Sequence, residues 1–120
     1  MQRDMDLVRE ILLQTESAER PLDTQQFRGD WDADTVACHV ELLKEAGFLD
    51  ATILHGGGRT LGARVNRLTW EGHDFLDTVR DDTTWSQTKT RIAQSVGSAS
   101  LEVVKAVATA VTLKTLGLPG

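Results

Sequence analysis

Cysteine is almost missing from this chain. One residue, Cys38, among 120 excludes an intramolecular disulfide framework and suits a reducing, cytoplasmic home. No apolar run reaches the length of a membrane span, and the N-terminus opens Met1-Gln2-Arg3-Asp4 rather than with a basic and then an apolar stretch. Neither a transmembrane helix nor a signal peptide is therefore expected, and no membrane partner. Positive charge is in deficit too, with 13 Lys+Arg against 18 Asp+Glu and a formal net charge of −5. That balance argues against a protein that coats nucleic acid through bulk charge. The chain also has no GxSxG, no HExxH and no Walker A loop, and Gly56-Gly57-Gly58 is not followed by the Lys-Ser/Thr of a phosphate loop.

What is present is ordinary in bulk. A content of 40% hydrophobic and 26% charged residues suits a globular protein, and 120 residues suit one domain with a small appendage. The charge, however, is segregated. Residues 1–30 carry four Arg against seven Asp/Glu, and residues 31–54 carry Lys44 against five acids. Residues 55–70 carry Arg59, Arg64 and Arg67 and no acid. Residues 71–85 carry Arg80 against five acids, and residues 86–120 carry four cations against Glu102. A short basic segment thus lies between two acidic ones, ahead of a mildly basic tail.

Residues 4–19 read as a helix, with Leu7, Val8, Ile11 and Leu12 on one face, Asp4 as its N-cap and Pro21 as its stop. Residues 22–32 leave two readings open: a brief helix capped by Asp23, or a short strand over Thr24 to Phe27. Phe27 and Trp31 are expected to be their buried anchors. Residues 33–46 form a second helix, capped by Asp32 and closed by Gly47, with Phe48 folding back on its end. Residues 48–54 and 63–68 read as two strands joined by a long, flexible, glycine-rich tip that bears Arg59. Thr69 is expected to cap a third helix over about 70–80, with Trp70, Phe75, Leu76 and Val79 as its apolar stripe. Thr84 and Gln87 have the spacing of a capping box and open a helix over about 85–96. Gly97 breaks it, Ser98 restarts a last helix over about 99–116, and Gly117, Pro119 and Gly120 end the chain.

The order helix, short element, helix, strand, turn, strand, helix is that of a winged helix. The expected fold is mainly α with a small β-hairpin: a winged helix-turn-helix core over residues 1–80 and a C-terminal two-helix extension over 81–120. The residues also carry a likeness. Arg3-Asp4-Met5-Asp6-Leu7-Val8-Arg9-Glu10-Ile11-Leu12-Leu13, His39-Val40-Glu41-Leu42-Leu43-Lys44-Glu45-Ala46-Gly47-Phe48 and Leu68-Thr69-Trp70-Glu71-Gly72-His73-Asp74-Phe75-Leu76-Asp77 stand in order along the chain. Together they resemble a bacterial and phage family of unknown function with a winged-helix-like core. The resemblance spans residues 3–77, with the family's usual tail continuing through 118. It implies the fold and a phage or mobile-element setting, and transfers no functional residues.

On this fold the hairpin is the wing, and Arg59, Arg64 and Arg67 are candidate phosphate contacts on double-stranded DNA. Gln25, Gln26 and Arg28 lie just before the helix in the recognition position and are candidate groove contacts. That helix itself carries Asp34, Glu41 and Glu45, with Asp32 at its cap, against Lys44 alone. Phosphates repel such a surface, and it has no Arg or Asn to read base edges. The leading expectation is a dimeric DNA-binding regulator that works through its wing. The alternative is a protein-interaction module that uses the acidic helix and the apolar last helix. In that last helix Leu101, Val104, Val107, Ala108, Val111 and Leu118 are candidate oligomerisation residues, since the apolar face is wide for a lone surface helix.

Other chemistry is poorly supported. Cys38 and His39 are neighbours, as are His73 and Asp74, but adjacent helical residues diverge by about 100°, so neither pair faces one metal ion or one substrate atom. A packed cysteine and two hydrogen-bonded histidines bracing the helices are expected instead. No metal, no cofactor and no enzymatic activity are expected. Trp70 is expected in the core, and Trp85 at the junction of core and tail.

Overall fold

In a computed structural model, which describes residues 2–95 and 100–118, the chain divides into two compact units, Met1–His73 and Asp74–Gly120. The described residues form α1 (Met5–Ser17), β1 (Leu22–Asp23), a 3-10 turn (Thr24–Gln26), α2 (Ala33–Glu45), β2 (Leu49–Gly56), β3 (Arg59–Leu68), α3 (Trp70–Val79), α4 (Asp82–Ser95) and α5 (Leu101–Thr115). The protein is mainly helical with a three-stranded antiparallel sheet in the order β1-β3-β2. The expected two-stranded hairpin gains a third strand at Leu22–Asp23, ahead of the Thr24 to Phe27 stretch, which takes the helical reading as a 3-10 turn behind Asp23. Leu22 and Asp23 pair with Val65 and Arg64, and the chain then tightens into the 3-10 turn.

The helix ends follow from local chemistry. Asp4 Oδ1 accepts from the backbone N–H groups of Asp6 (3.0 Å) and Leu7 (3.2 Å), which gives α1 its cap. Asp32 Oδ1 accepts from Thr35 N at 2.7 Å and does the same for α2. At the far end of α2, Gly47 takes φ +83°, its N–H reaches Lys44 O, and Phe48 N–H reaches Leu43 O, both at 2.9 Å. That 6→1 and 5→2 pair satisfies two orphan carbonyls and turns the chain directly into β2. Thr69 caps α3, accepting from Gly72 N at 3.0 Å. Asp81, not Thr84, caps α4: Asp81 Oδ2 accepts from Thr84 N at 2.8 Å, and Thr84 lies buried inside the helix. A carboxylate outcompetes a hydroxyl for the orphan N–H groups, so the helix begins three residues earlier than the sequence suggests. Ser100 caps α5. The expected break at Gly97 and restart at Ser98, with Val96 and the terminal Pro119 and Gly120, fall outside the described residues.

The first unit packs α1 and α2 against the sheet. Leu7, Val8, Ile11 and Leu12 of α1, Val36, Ala37, Val40 and Leu43 of α2, and Leu49, Ala51, Val65 and Leu68 of the sheet are all buried. Val65 and Leu68 lie three residues apart, so a regular strand would point them to opposite faces. A register shift between Asp50 and Ala51 leaves Asn66 as an extra residue, and this bulge brings both side chains inward. In the second unit α4 packs on α5, with Trp85, Thr88, Val104, Ala108 and Val111 buried.

Three expected core residues lie elsewhere. Trp70 is 78% exposed. The buried stripe of α3 runs through Gly72, Phe75, Leu76 and Val79, and Trp70 sits two residues, about 200°, from the first of these. Phe27 and Trp31 are only half-buried. Trp31 keeps an edge position because its indole Nε1 donates to Asp4 Oδ2 at 2.8 Å.

Candidate nucleic-acid interface

The wing is shorter at its tip than the sequence suggests. β2 runs to Gly56 and β3 starts at Arg59, so only Gly57 and Gly58 turn the chain, with φ of +60° and +76°. Two successive positive φ values are what a type I′ hairpin turn requires, and glycine adopts them without strain. The glycines thus make the tip tight rather than long and loose.

Antiparallel register decides what each wing arginine faces, because directly opposite residues share a face of the sheet. Arg67 stands opposite Asp50, and its Nε lies 3.5 Å from Asp50 Oδ2. Arg64 stands opposite Thr52 on one side and Asp23 on the other. Arg59 stands opposite Gly56 at the tip, with no acid across from it. Two of the three expected phosphate contacts are thus placed against carboxylates on neighbouring strands.

The other three candidates divide. Gln25 lines one groove with Arg64, Leu54, Leu61 and Gly62. Gln26 and Arg28 line a different groove with Gln14 and Arg20. Gln26 is already engaged, since its Oε1 accepts from Asp23 N at 2.8 Å. Arg28 is held by its backbone: its N–H donates to Gln14 Oε1 and its C=O accepts from Gln14 Nε2, each at 2.8 Å. Gln14 lies on the buried stripe of α1, and a polar residue at that point in the helical repeat was the available signal for this clamp.

The exposed side of α2 is acidic. Asp34 and Glu45 are exposed, with half-buried Cys38 and Leu42 between them. Asp32 at the cap has its carboxyl held below the usual range by the Thr35 backbone hydrogen bond. Glu41 is held below its usual range as well, first by the Thr60 hydroxyl and then by His55. Glu41 Oε2 accepts from Thr60 Oγ1, and Oε1 accepts from His55 Nε2 at 2.8 Å. His55 and Thr60 are cross-strand partners near the wing tip, so one α2 carboxylate holds both strands. Charge counting along the chain does not reveal this bridge.

His39 is 1% exposed and fully used. Its Nδ1 donates to Thr35 O at 2.8 Å, and its Nε2 accepts from Asp4 N at 2.9 Å. A carbonyl only accepts and an amide N–H only donates, so the two contacts select the neutral Nδ1–H tautomer. His39 therefore braces α2 against the start of α1. His73, by contrast, stands on the surface 3.8 Å from Glu16. Cys38 is half-buried rather than packed away. Among the described residues, no three His, Cys, Asp or Glu side chains are grouped to hold a metal ion. No helix among them is long and apolar enough to cross a membrane.

The oligomerisation candidates also divide. Val104, Ala108 and Val111 are buried, Leu101 and Val107 are half-buried, and Leu118 is 52% exposed.

A family model described as "Hypothetical protein (DUF2513)" matches residues 2–99. An "Uncharacterized protein" of Haemophilus influenzae is 39% identical over 111 residues, which cover 90% of this chain and 92% of that protein. No solved structure matches the chain.

Proposed function

The chain belongs to the DUF2513 family of hypothetical proteins, and for it we propose a non-enzymatic winged-helix module that docks a protein partner through the exposed face of α2. The winged-helix reading is supported by the order α1, β1, 3-10 turn, α2, β2, β3 and by the hairpin that follows the long second helix. In that arrangement α2 occupies the recognition position. The observation that carries the docking reading is the charge of that helix. Its outer side offers Asp34, Cys38, Leu42 and Glu45, an acidic rim around a small apolar centre. A partner with a basic, partly apolar surface suits it, whereas DNA phosphates repel it.

A second reading, DNA contact through the wing, is favoured by one observation. Arg59 stands at the tip with no acid opposite, and Arg64 lines a groove together with Gln25. A regulator from a phage or mobile element, acting as a dimer, would use the wing in this way.

Binding to a random-sequence duplex across a salt series separates the readings. The docking reading expects no retained complex at low salt, and capture of the same protein from a bacterial lysate with and without nuclease. Retention at low salt that disappears when Arg59, Arg64 and Arg67 are all changed to Ala would overturn it in favour of the wing.

A further inference from the structure

We propose that Glu41 is a pH-responsive latch that holds the wing against α2. The base of the wing is packed into the core, and its outer part is not. Leu49, Ala51 and Val65 are buried there, whereas Leu54, His55, Arg59 and Leu61 nearer the tip are exposed. At this outer level Glu41 reaches across from α2. Glu41 accepts from His55 on β2 and from Thr60 on β3, so its carboxylate closes the gap between the helix and both strands at once. His55 and Thr60 face each other directly in the register, just beyond the shift between Leu54 and His55 where Leu61 is the extra residue. The latch thus grips the hairpin at the point where regular pairing has been interrupted.

The groups that bear on it electrostatically are few. His55 faces Glu41 from the sheet, and Lys44 acts on it from its own helix. Both favour the carboxylate. The ionised acceptor makes both hydrogen bonds charge-assisted. The latch therefore stays closed while Glu41 is ionised. It opens only at lower pH, when Glu41, already held below the ordinary carboxylate range, takes up a proton. Opening frees the hairpin tip and presents the Glu41 carboxyl beside Asp34 and Glu45 on the α2 surface. The latch stands on its own geometry and does not depend on which partner α2 or the wing binds.

The test is amide hydrogen exchange by NMR on the full chain, comparing wing residues 54–61 with core residues Ile11 and Leu12. Glu41→Gln is expected to speed wing exchange by about fivefold, the scale of one partly exposed ionic hydrogen bond, and to leave the core unchanged. Wild-type wing protection, relative to the core, is expected to fall as pH drops below the ordinary carboxylate range and Glu41 takes up its proton. His55→Gln keeps a donor to the carboxylate, so it should retain most of the protection at neutral pH. Three results overturn the proposal: unchanged wing exchange in Glu41→Gln, equal acceleration of wing and core, or wild-type wing protection that stays unchanged relative to the core when pH falls below the ordinary carboxylate range.

Discussion

Gln14 illustrates how much a single side chain decides here. Its amide pairs with both backbone groups of Arg28 and so anchors the irregular segment that leads into α2. Changing Gln14 to Leu keeps the bulk but leaves a backbone N–H and C=O unpaired. A loss of about 1–3 kcal/mol is expected in urea unfolding. Two glycines make the opposite contrast. A Cβ on Gly72 would collide with the Phe48 carbonyl, where α3 crosses the end of α2. A Cβ on Gly62 would meet nothing nearer than Thr24 Oγ1 at 4.0 Å, and its φ is not in the left-handed region. Gly72→Ala should therefore cost about 2 kcal/mol or more, while Gly62→Ala should gain about 0.5 kcal/mol by restricting the unfolded chain. Thermal unfolding of the two variants checks both signs. Trp70 is exposed, so Trp70→Ala should change stability by no more than about 0.5 kcal/mol.

At the scale of elements, the hairpin and α2 act together. The Gly57–Gly58 turn should accept Asn at position 57, because Asn tolerates positive φ, and reject Val at position 58 at about 1–2 kcal/mol. A melting series on the two variants tests the turn assignment. The two lowered carboxylates, Asp32 and Glu41, both belong to α2. A depressed carboxyl contributes stability that is complete above its unfolded value and is lost as pH falls through its folded value. Stability is therefore expected to hold from neutrality down to the ordinary carboxylate range and to decline below it. Asp32→Asn should flatten the decline, as followed by urea unfolding at successive pH values. Local chemistry made most of these elements readable. Asp4, Asp32, Gly47 and Thr69 mark their helix ends from sequence alone. The start of α4 is not legible in the same way, because Asp81 and Thr84 both have capping chemistry and a linear pattern does not rank them.

At the scale of the whole molecule, the three ordered motifs and the comparisons agree on one family, and the acidic net charge acquires a location. Wing arginines and sheet carboxylates face each other across strands, while the α2 surface keeps its acids. Self-association, if α5 provides it, must use residues not already buried. Val104→Asp is expected to unfold the α4–α5 unit, seen as lost helicity, whereas Leu118→Glu should leave helicity intact. Light scattering on the Leu118→Glu chain then reports on assembly alone: a dimer built on α5 should become monomeric.

The sequence by itself determined the order of the helices and the hairpin, the caps of α1, α2 and α3, and the segregation of charge, because each depends on residues within a few positions of one another. Only the tertiary structure decided which side chains meet across long separations. It set Arg67 against Asp50, Arg64 against Asp23, Gln14 against Arg28, and Glu41 against His55 and Thr60. Strand register and helix packing control these meetings. One bulge at Asn66 reverses which residues face inward, and no local pattern in the chain announces where such a shift falls.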